Sequence, residues 1–167
     1  MSFGTGVTTI SGLNAPTDAG TGIALLVKYD SSGNAQWVRT TNPNPGNSVS
    51  EGIAIDSSDS IYTAGWLEYS SVQSNSFGFG TNVTATAHYL GGDVLLLRYN
   101  SSGLAQWAQS VSAGAVNTSR LHAVAVDTST GSVFGAGSID GTGSFGFGNS
   151  VSVAGFDSQG SALLVKY

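Results

Sequence analysis

One hexapeptide, Ala-Leu-Leu-Val-Lys-Tyr, stands at residues 24–29 and again at 162–167, with Val94-Leu-Leu-Leu-Arg-Tyr99 between them as a third version. The copies beginning at Ala24 and Val94 continue alike, through Asp30-Ser-Ser-Gly33 to Trp37 and through Asn100-Ser-Ser-Gly103 to Trp107. Other motifs keep nearly the same spacing. Ser76-Phe-Gly-Phe-Gly80 returns 68 residues later as Ser144-Phe-Gly-Phe-Gly148, and Gly52-Ile-Ala-Ile-Asp56 returns 71 residues later as Ala123-Val-Ala-Val-Asp127. Separate motifs at nearly one spacing mean an internal duplication of about 70 residues, and such a chain folds as copies of one supersecondary unit.

Each unit reads as β-structure. An apolar run from Ala24 to Tyr29, the turn Asp30–Gly33 and a return strand from Ala35 to Thr40 make one hairpin. Asp at the first turn position accepts hydrogen bonds from the backbone ahead of it, and Gly supplies the left-handed residue. A second hairpin runs from Gly52–Asp56 through Ser57–Ser60 to Ile61–Leu67, and recurs as Ala123–Asp127 and Val133–Ser138. Two hairpins per period give four strands in the order Gly52–Asp56, Ile61–Leu67, Val94–Tyr99, Ala105–Val111. The run Val94-Leu-Leu-Leu does not alternate, so both of its faces are expected to be buried, as where twisted sheets stack like propeller blades. The polar connection Glu68–Gly92 is too long for a structureless loop, and a short strand or β-bulge is expected around Phe77–Thr86, anchored by Phe77 and Phe79.

The expected fold is therefore all-β, with four-stranded antiparallel blades of β-propeller type in about two repeats plus an incomplete one. Residues 1–48 are read as a partial repeat holding the third and fourth strands of a blade, 49–119 as a complete repeat, and 120–167 as a partial repeat holding the first three strands. The two ends are the same phase of the repeat and duplicate each other. The chain is thus expected to find partners, either neighbouring repeats of a longer protein or further copies in a homo-oligomer, since open strand edges are templates for addition.

Composition narrows what such a scaffold can do. Charged residues are 9% of the chain, the net charge is −5, and the five basic residues, Lys28, Arg39, Arg98, Arg120 and Lys166, are scattered. No basic stripe or polybasic anchor results, which argues against nucleic acid. No apolar run approaches the roughly 18 residues that a spanning helix needs. Cysteine is absent, which removes disulfides and thiolate sites. Residues Met1–Gly6 carry neither a basic start nor an apolar core, so an export signal is expected to be missing or removed.

Candidate sites are few. Asp30, Asp56 with Asp59, and Asp127 stand in Asp-Ser or Asp-Thr turns too short to gather the six to eight or so oxygens calcium requires, so turn formation is the expected role. His88 and His122 lack further nitrogen or sulfur ligands. Glu51 and Glu68 are the only glutamates, and no Gly-x-Ser-x-Gly elbow or phosphate loop with its Lys is present. No catalytic residue, metal ligand or cofactor is expected. Trp37 and Trp107 fall at equivalent positions, as packing between units demands. Trp66, Tyr69 and Tyr89 are unmatched between copies, and are the candidates for a ligand platform, for example one that stacks on sugars.

These motifs resemble the bacterial β-propeller repeats known as SBBP repeats, found in multi-copy surface and secreted proteins, spirochaetes among them. The residues that carry the resemblance are Leu26-Val-Lys-Tyr-Asp-Ser-Ser-Gly-Asn-Ala-Gln-Trp37, Gly52-Ile-Ala-Ile-Asp-Ser-Ser-Asp-Ser-Ile-Tyr-Thr-Ala-Gly65, Phe77-Gly-Phe-Gly80 and Gly92-Asp93. With their repeats they cover nearly the whole chain. It departs from the pattern at Asp59, where Gly is usual, at Ile23 and Ser161, which stand where the middle copy has Asp93, and at Ser138, which stands where that copy has Trp66. The resemblance implies a four-stranded blade per repeat and a place outside or on the surface of a bacterium; it implies no activity and no shared site. The expected function is a non-enzymatic structural or interaction module that self-associates through open blade edges into a ring or filament. The alternative is a propeller that recognises glycans or a protein partner through its long connections.

Overall fold

A side-chain oxygen that takes over the backbone's work can close a tight turn, and this device recurs along the chain. A computed structural model describes residues 3, 22–41, 46–68, 75–80, 82–89, 91–111 and 118–167. In it Asp30 Oδ1 accepts the amides of Ser32 and Asn34 at 2.9 and 2.8 Å, and Asn100 Oδ1 accepts those of Ser102 and Leu104 at 3.1 and 2.9 Å. Asp56 Oδ1 does the same for Ser58 and Ser60. The Asp127 carboxyl, held by the Ser129 hydroxyl first and by Thr130 next, is lowered to about 2. These Asp and Asn side chains are turn-formers, each accepting from the groups ahead of it in the turn.

Between the turns the described residues form thirteen strands, all paired antiparallel. Strands β1 (Leu25–Tyr29) and β2 (Ala35–Thr40) form one hairpin sheet. Strands β3 (Asn47–Ile55), β4 (Ile61–Glu68), β7 (Asp93–Tyr99) and β8 (Ala105–Gln109) form a four-stranded sheet in that order. Strands β9 (Thr118–Asp127), β10 (Ser132–Gly141) and β13 (Asp157–Lys166) form a third sheet with β10 central. Each Phe-Gly motif makes a small hairpin of its own, β5 (Ser76–Gly78) with β6 (Thr84–Thr86) and β11 (Ser144–Gly146) with β12 (Ser152–Ala154). The connection thus holds two strands where one strand or a bulge was expected, and Phe77 and Phe145 pin the hairpins by complete burial. No residue among those described is helical.

Strand β7 is covered on both faces, as its unbroken apolar run predicts. Val94 and Leu96 belong to a cluster with Leu121, Val133, Phe145 and Val165 of the third sheet and its hairpin. Leu95 and Leu97 belong to another, with Phe77 and Phe79 and with Leu26 and Trp37 of the first sheet packed against it. Trp107 sits in the first of these clusters, edge-on to Tyr62 at 6.1 Å, so both repeated tryptophans pack between units.

The sheets are joined by the same device twice. Ser48 donates its amide to the Gly22 carbonyl at 3.0 Å, and its hydroxyl oxygen accepts the Ala24 amide at 3.0 Å. Seventy-one residues on, Ser119 donates its amide to the Gly92 carbonyl at 2.9 Å and accepts the Val94 amide at 3.1 Å. Both serines are completely buried. A small hydroxyl residue is required because it must reach into the start of the preceding sheet's apolar strand while filling little space. Strands β3 and β9 begin upstream of the apolar pattern visible in the sequence, and these serines lie in that upstream part.

Candidate functional site at the seam between sheets

Strands β3 and β9 each carry a bulge, which leaves Glu51 unpaired in the β3–β4 register and His122 unpaired in the β9–β10 register. The two residues immediately precede the equivalent motifs at Gly52 and Ala123, so they occupy the same place in successive repeats. A bulge turns the extra side chain outward from the ladder, and here the two meet across the seam. His122 Nδ1 lies 2.5 Å from Glu51 Oε2, and the Trp66 indole N–H donates to Glu51 Oε1 at 2.8 Å. The Arg120 guanidinium stands over the Trp66 ring at 4.5 Å and donates to the Gly91 carbonyl at 3.3 Å. His122 Nε2 is 3.4 Å from Ser138 Oγ. Partial burial raises the pKa of Glu51, but the bonds from His122 and Trp66, with the charge of Arg120, outweigh it and leave the carboxyl below its ordinary range.

Carboxylate, imidazole and hydroxyl in this sequence have the order of an acyl-transfer triad. The setting differs. Ser138 lies mid-strand in β10, opposite Arg120 on one side and Ala162 on the other. It does not stand on a sharp turn beside free amides, which a nucleophile elbow and an oxyanion hole require. What the geometry provides is a polar lock between sheets, with an exposed imidazole and a cation-stacked indole at its rim. Among the described residues there is no group of three or more His, Cys, Asp or Glu arranged to hold a metal ion.

Trp66 of the expected platform is therefore found in the seam, one face occupied by Arg120. Tyr89 sits at the same end of β7, where its amide donates to Asp93 Oδ2 at 3.0 Å and its ring lies 6.2 Å from that of His88. Tyr69 lies outside the described residues. Of the residues that complete the cluster, the sequence sets His122 aside as a metal ligand and Glu51 as a catalytic carboxylate, and offers Arg120 only as one of five scattered basic residues. The available signal was their phase: Glu51 and His122 are unlike in type but identical in position, which is what a contact between successive copies needs.

Asp93 is a completely buried carboxyl group. Burial pushes its pKa above the ordinary range, although the amides of His88 and Tyr89 both donate to Oδ2. Its Oδ1 has no hydrogen-bond partner among the described residues. With the folded pKa above the unfolded one, this group favours folding most at low pH, and the advantage is lost as pH rises through the folded pKa. Asp93→Asn keeps an acceptor for the two amides without burying a charge. It is expected to change stability at neutral pH by less than about 1 kcal/mol and to flatten the pH dependence, whereas Asp93→Ala strands both amides and costs about 2 kcal/mol. Urea titrations of both variants at acid and neutral pH check the difference.

The outer faces of the assembly of sheets are less finished than the seam. Leu164 is 72% exposed, while Leu96, its counterpart in the middle copy, is 0% exposed. Tyr29 is 51% exposed against 3% for its counterpart Tyr99. Ile53 and Ile55 of β3 are each 58% exposed, whereas Val124 and Val126 at the same positions of β9 pack against the core between the second and third sheets. Among the described residues no helix is long and apolar enough to cross a membrane. No protein-family model matches the chain, and no curated protein matches it.

Proposed function

We propose that the chain is a non-enzymatic structural or interaction repeat module, built of propeller-type blades, that self-associates through sheet surfaces and edges left open in the single copy. The four-stranded sheet β3–β4–β7–β8 is taken as one blade, with the sheets on either side as parts of its neighbours. The observation that carries the proposal is the contrast between equivalent positions: Leu96 buried and Leu164 exposed, Val124 and Val126 packed and Ile53 and Ile55 bare. Large apolar side chains left in water at positions where the repeat elsewhere covers them mark an interaction surface. A heterologous contact of this kind closes into a ring or grows into a filament. The motif resemblance to SBBP repeats supports an extracellular or surface setting in a bacterium. Electron micrographs of the purified chain are expected to show rings or filaments; isolated particles of monomer size at every concentration would contradict the proposal.

A second reading has one observation in its favour. The seam presents an indole, a carboxylate, an imidazole and a guanidinium within one exposed cluster, the mixture that glycan recognition uses. On this reading Trp66→Ala abolishes a signal on a glycan array that the unaltered chain gives, while the association state stays unchanged.

A further inference from the structure

The self-association proposed above leaves open which strands meet, and the repeated hexapeptide supplies an answer. In the third sheet β10 pairs with β13 in a register that sets Phe134 opposite Lys166, Ala136 opposite Leu164 and Ser138 opposite Ala162. The residues β13 brings to that ladder from Ala162 onward are Ala-Leu-Leu-Val-Lys-Tyr. The stretch that enters and forms β1, Ala24 to Tyr29, is the same hexapeptide. Strand β1 has β2 on one side, and among the described residues no strand pairs with its other edge. In the complete four-stranded sheet that edge of the equivalent strand, β7, pairs with β4, the counterpart of β10.

We infer that copies of the chain associate by strand exchange, in which β1 of a second copy takes the place of β13 on β10 of the first. The composite sheet then reads β9–β10 from one chain and β1–β2 from the next, a four-stranded order like that of β3–β4–β7–β8. Over the hexapeptide the pairing is matched residue for residue, because the incoming and outgoing side chains are identical; the rungs at Ser161 and Asp157 lie outside that identity.

The gain lies in what the exchange covers. Leu25, Val27 and Tyr29 of the incoming strand occupy the places of Leu163, Val165 and Tyr167, which face the core shared with the middle sheet. Leu26 is already packed against the middle sheet of its own chain. The composite sheet is thereby held between the middle sheets of two chains, and Phe134 of the first chain is brought to Ile53 and Ile55 of the second. The contact inside one chain that serves as template sets Tyr62 and Leu96 in one cluster with Val124 and Val126. Even the cation stacking is conserved in form, with Arg98 over Tyr62 and Lys166 over Phe134, each at 5.7 Å; Lys28 is the residue the incoming strand would supply. Each chain has one donor and one acceptor surface, on different strands, so the assembly is head-to-tail.

The chain has no cysteine of its own, which makes cross-linking unambiguous. Chains carrying Ser138→Cys are mixed with chains carrying Ala24→Cys and oxidised; strand exchange predicts a disulfide between the two chains. Phe134→Cys with Lys28→Cys tests the same register at a second rung. Within a single chain, Ser138→Cys combined with Ala162→Cys staples β13 onto β10, and this variant is expected to stay monomeric when oxidised and to associate again when reduced. Ile53→Asp, at an exposed site, is expected to weaken association by about tenfold or more while leaving the monomer folded. An oxidised, stapled chain that associates as well as the unaltered one overturns strand exchange but leaves self-association standing. A chain that is monomeric throughout, with no mixed disulfide at either rung, overturns both.

Discussion

Leu96→Ala is expected to lower the free energy of unfolding by about 3–5 kcal/mol, while Leu164→Ala, the same change at the same position of the next repeat, alters it by less than about 0.5 kcal/mol. Leu96 is completely buried, one of five consecutive residues of β7 in that condition, from Asp93 to Leu97, and it faces Leu121, Val133 and Phe145 across the core. Truncating it removes the transfer energy of the lost carbons and leaves a cavity that two stacked sheets cannot readily collapse around. Leu164 is in the same register against β10 as Leu96 is against β4, but among the described residues no further sheet lies over it. Urea unfolding of the two variants at a concentration where the chain is monomeric measures the pair. Similar losses at both sites would mean that Leu164 is covered as Leu96 is, and that this face of the third sheet is not open.

The second large effect is expected at a glycine. Gly65→Ala should cost about 3 kcal/mol or more, because a Cβ at Gly65 would lie 1.8 Å from the Val49 carbonyl oxygen and only a shift of backbone could relieve it. Gly137, its counterpart, meets the Arg120 carbonyl oxygen at the same 1.8 Å. Both glycines stand opposite the bulges that expel Glu51 and His122, so the close approach of the strands and the seam cluster have one origin. Gly65→Ala is therefore expected to break the Glu51–His122 contact as well as to destabilise the sheet. Gly33→Ala makes the useful comparison. Gly33 has φ 81° and no atom within 4 Å of its would-be Cβ, so only the left-handed backbone resists the change, at roughly 1–2 kcal/mol. Thermal unfolding, with the histidine resonances followed by NMR, distinguishes the two variants.

How far the sequence discloses this structure depends on the kind of residue involved. The hairpins, the turns and the double burial of Val94–Leu97 were legible because they rest on local patterns: an Asp or Asn before Ser-Ser-Gly, and an apolar run that refuses to alternate. The four strands of the middle sheet appear in the expected order for the same reason. The upstream halves of β3 and β9 were not legible. Residues such as Asn47, Ser48 and Ser119 carry no apolar period, and the bulge at Glu51 breaks the alternation that would have extended the strand. The Phe-Gly hairpins were half legible, since Phe77 and Phe79 announce an anchor but three-residue strands leave almost no pattern.

The seam was the least legible part. Glu51 and His122 meet only because two copies stack, and their chemistry differs although their phase agrees. Matching residues by type finds Trp37 and Trp107, which are alike and pack. It overlooks pairs that are complementary, and those form the contact between units. Ser138 in place of Trp66 is a related difference: in the third sheet the hydroxyl leaves room for the His122 ring.

Sedimentation velocity of the unaltered chain over a wide range of concentration bears most directly on the claim that these open faces seek one another. Self-association through them predicts a weight-average sedimentation coefficient that rises steadily with concentration, and that for Ile53→Asp rises only at concentrations about tenfold or more higher. A well-folded chain that sediments as a monomer throughout, with Ile53→Asp indistinguishable from it, would contradict the claim.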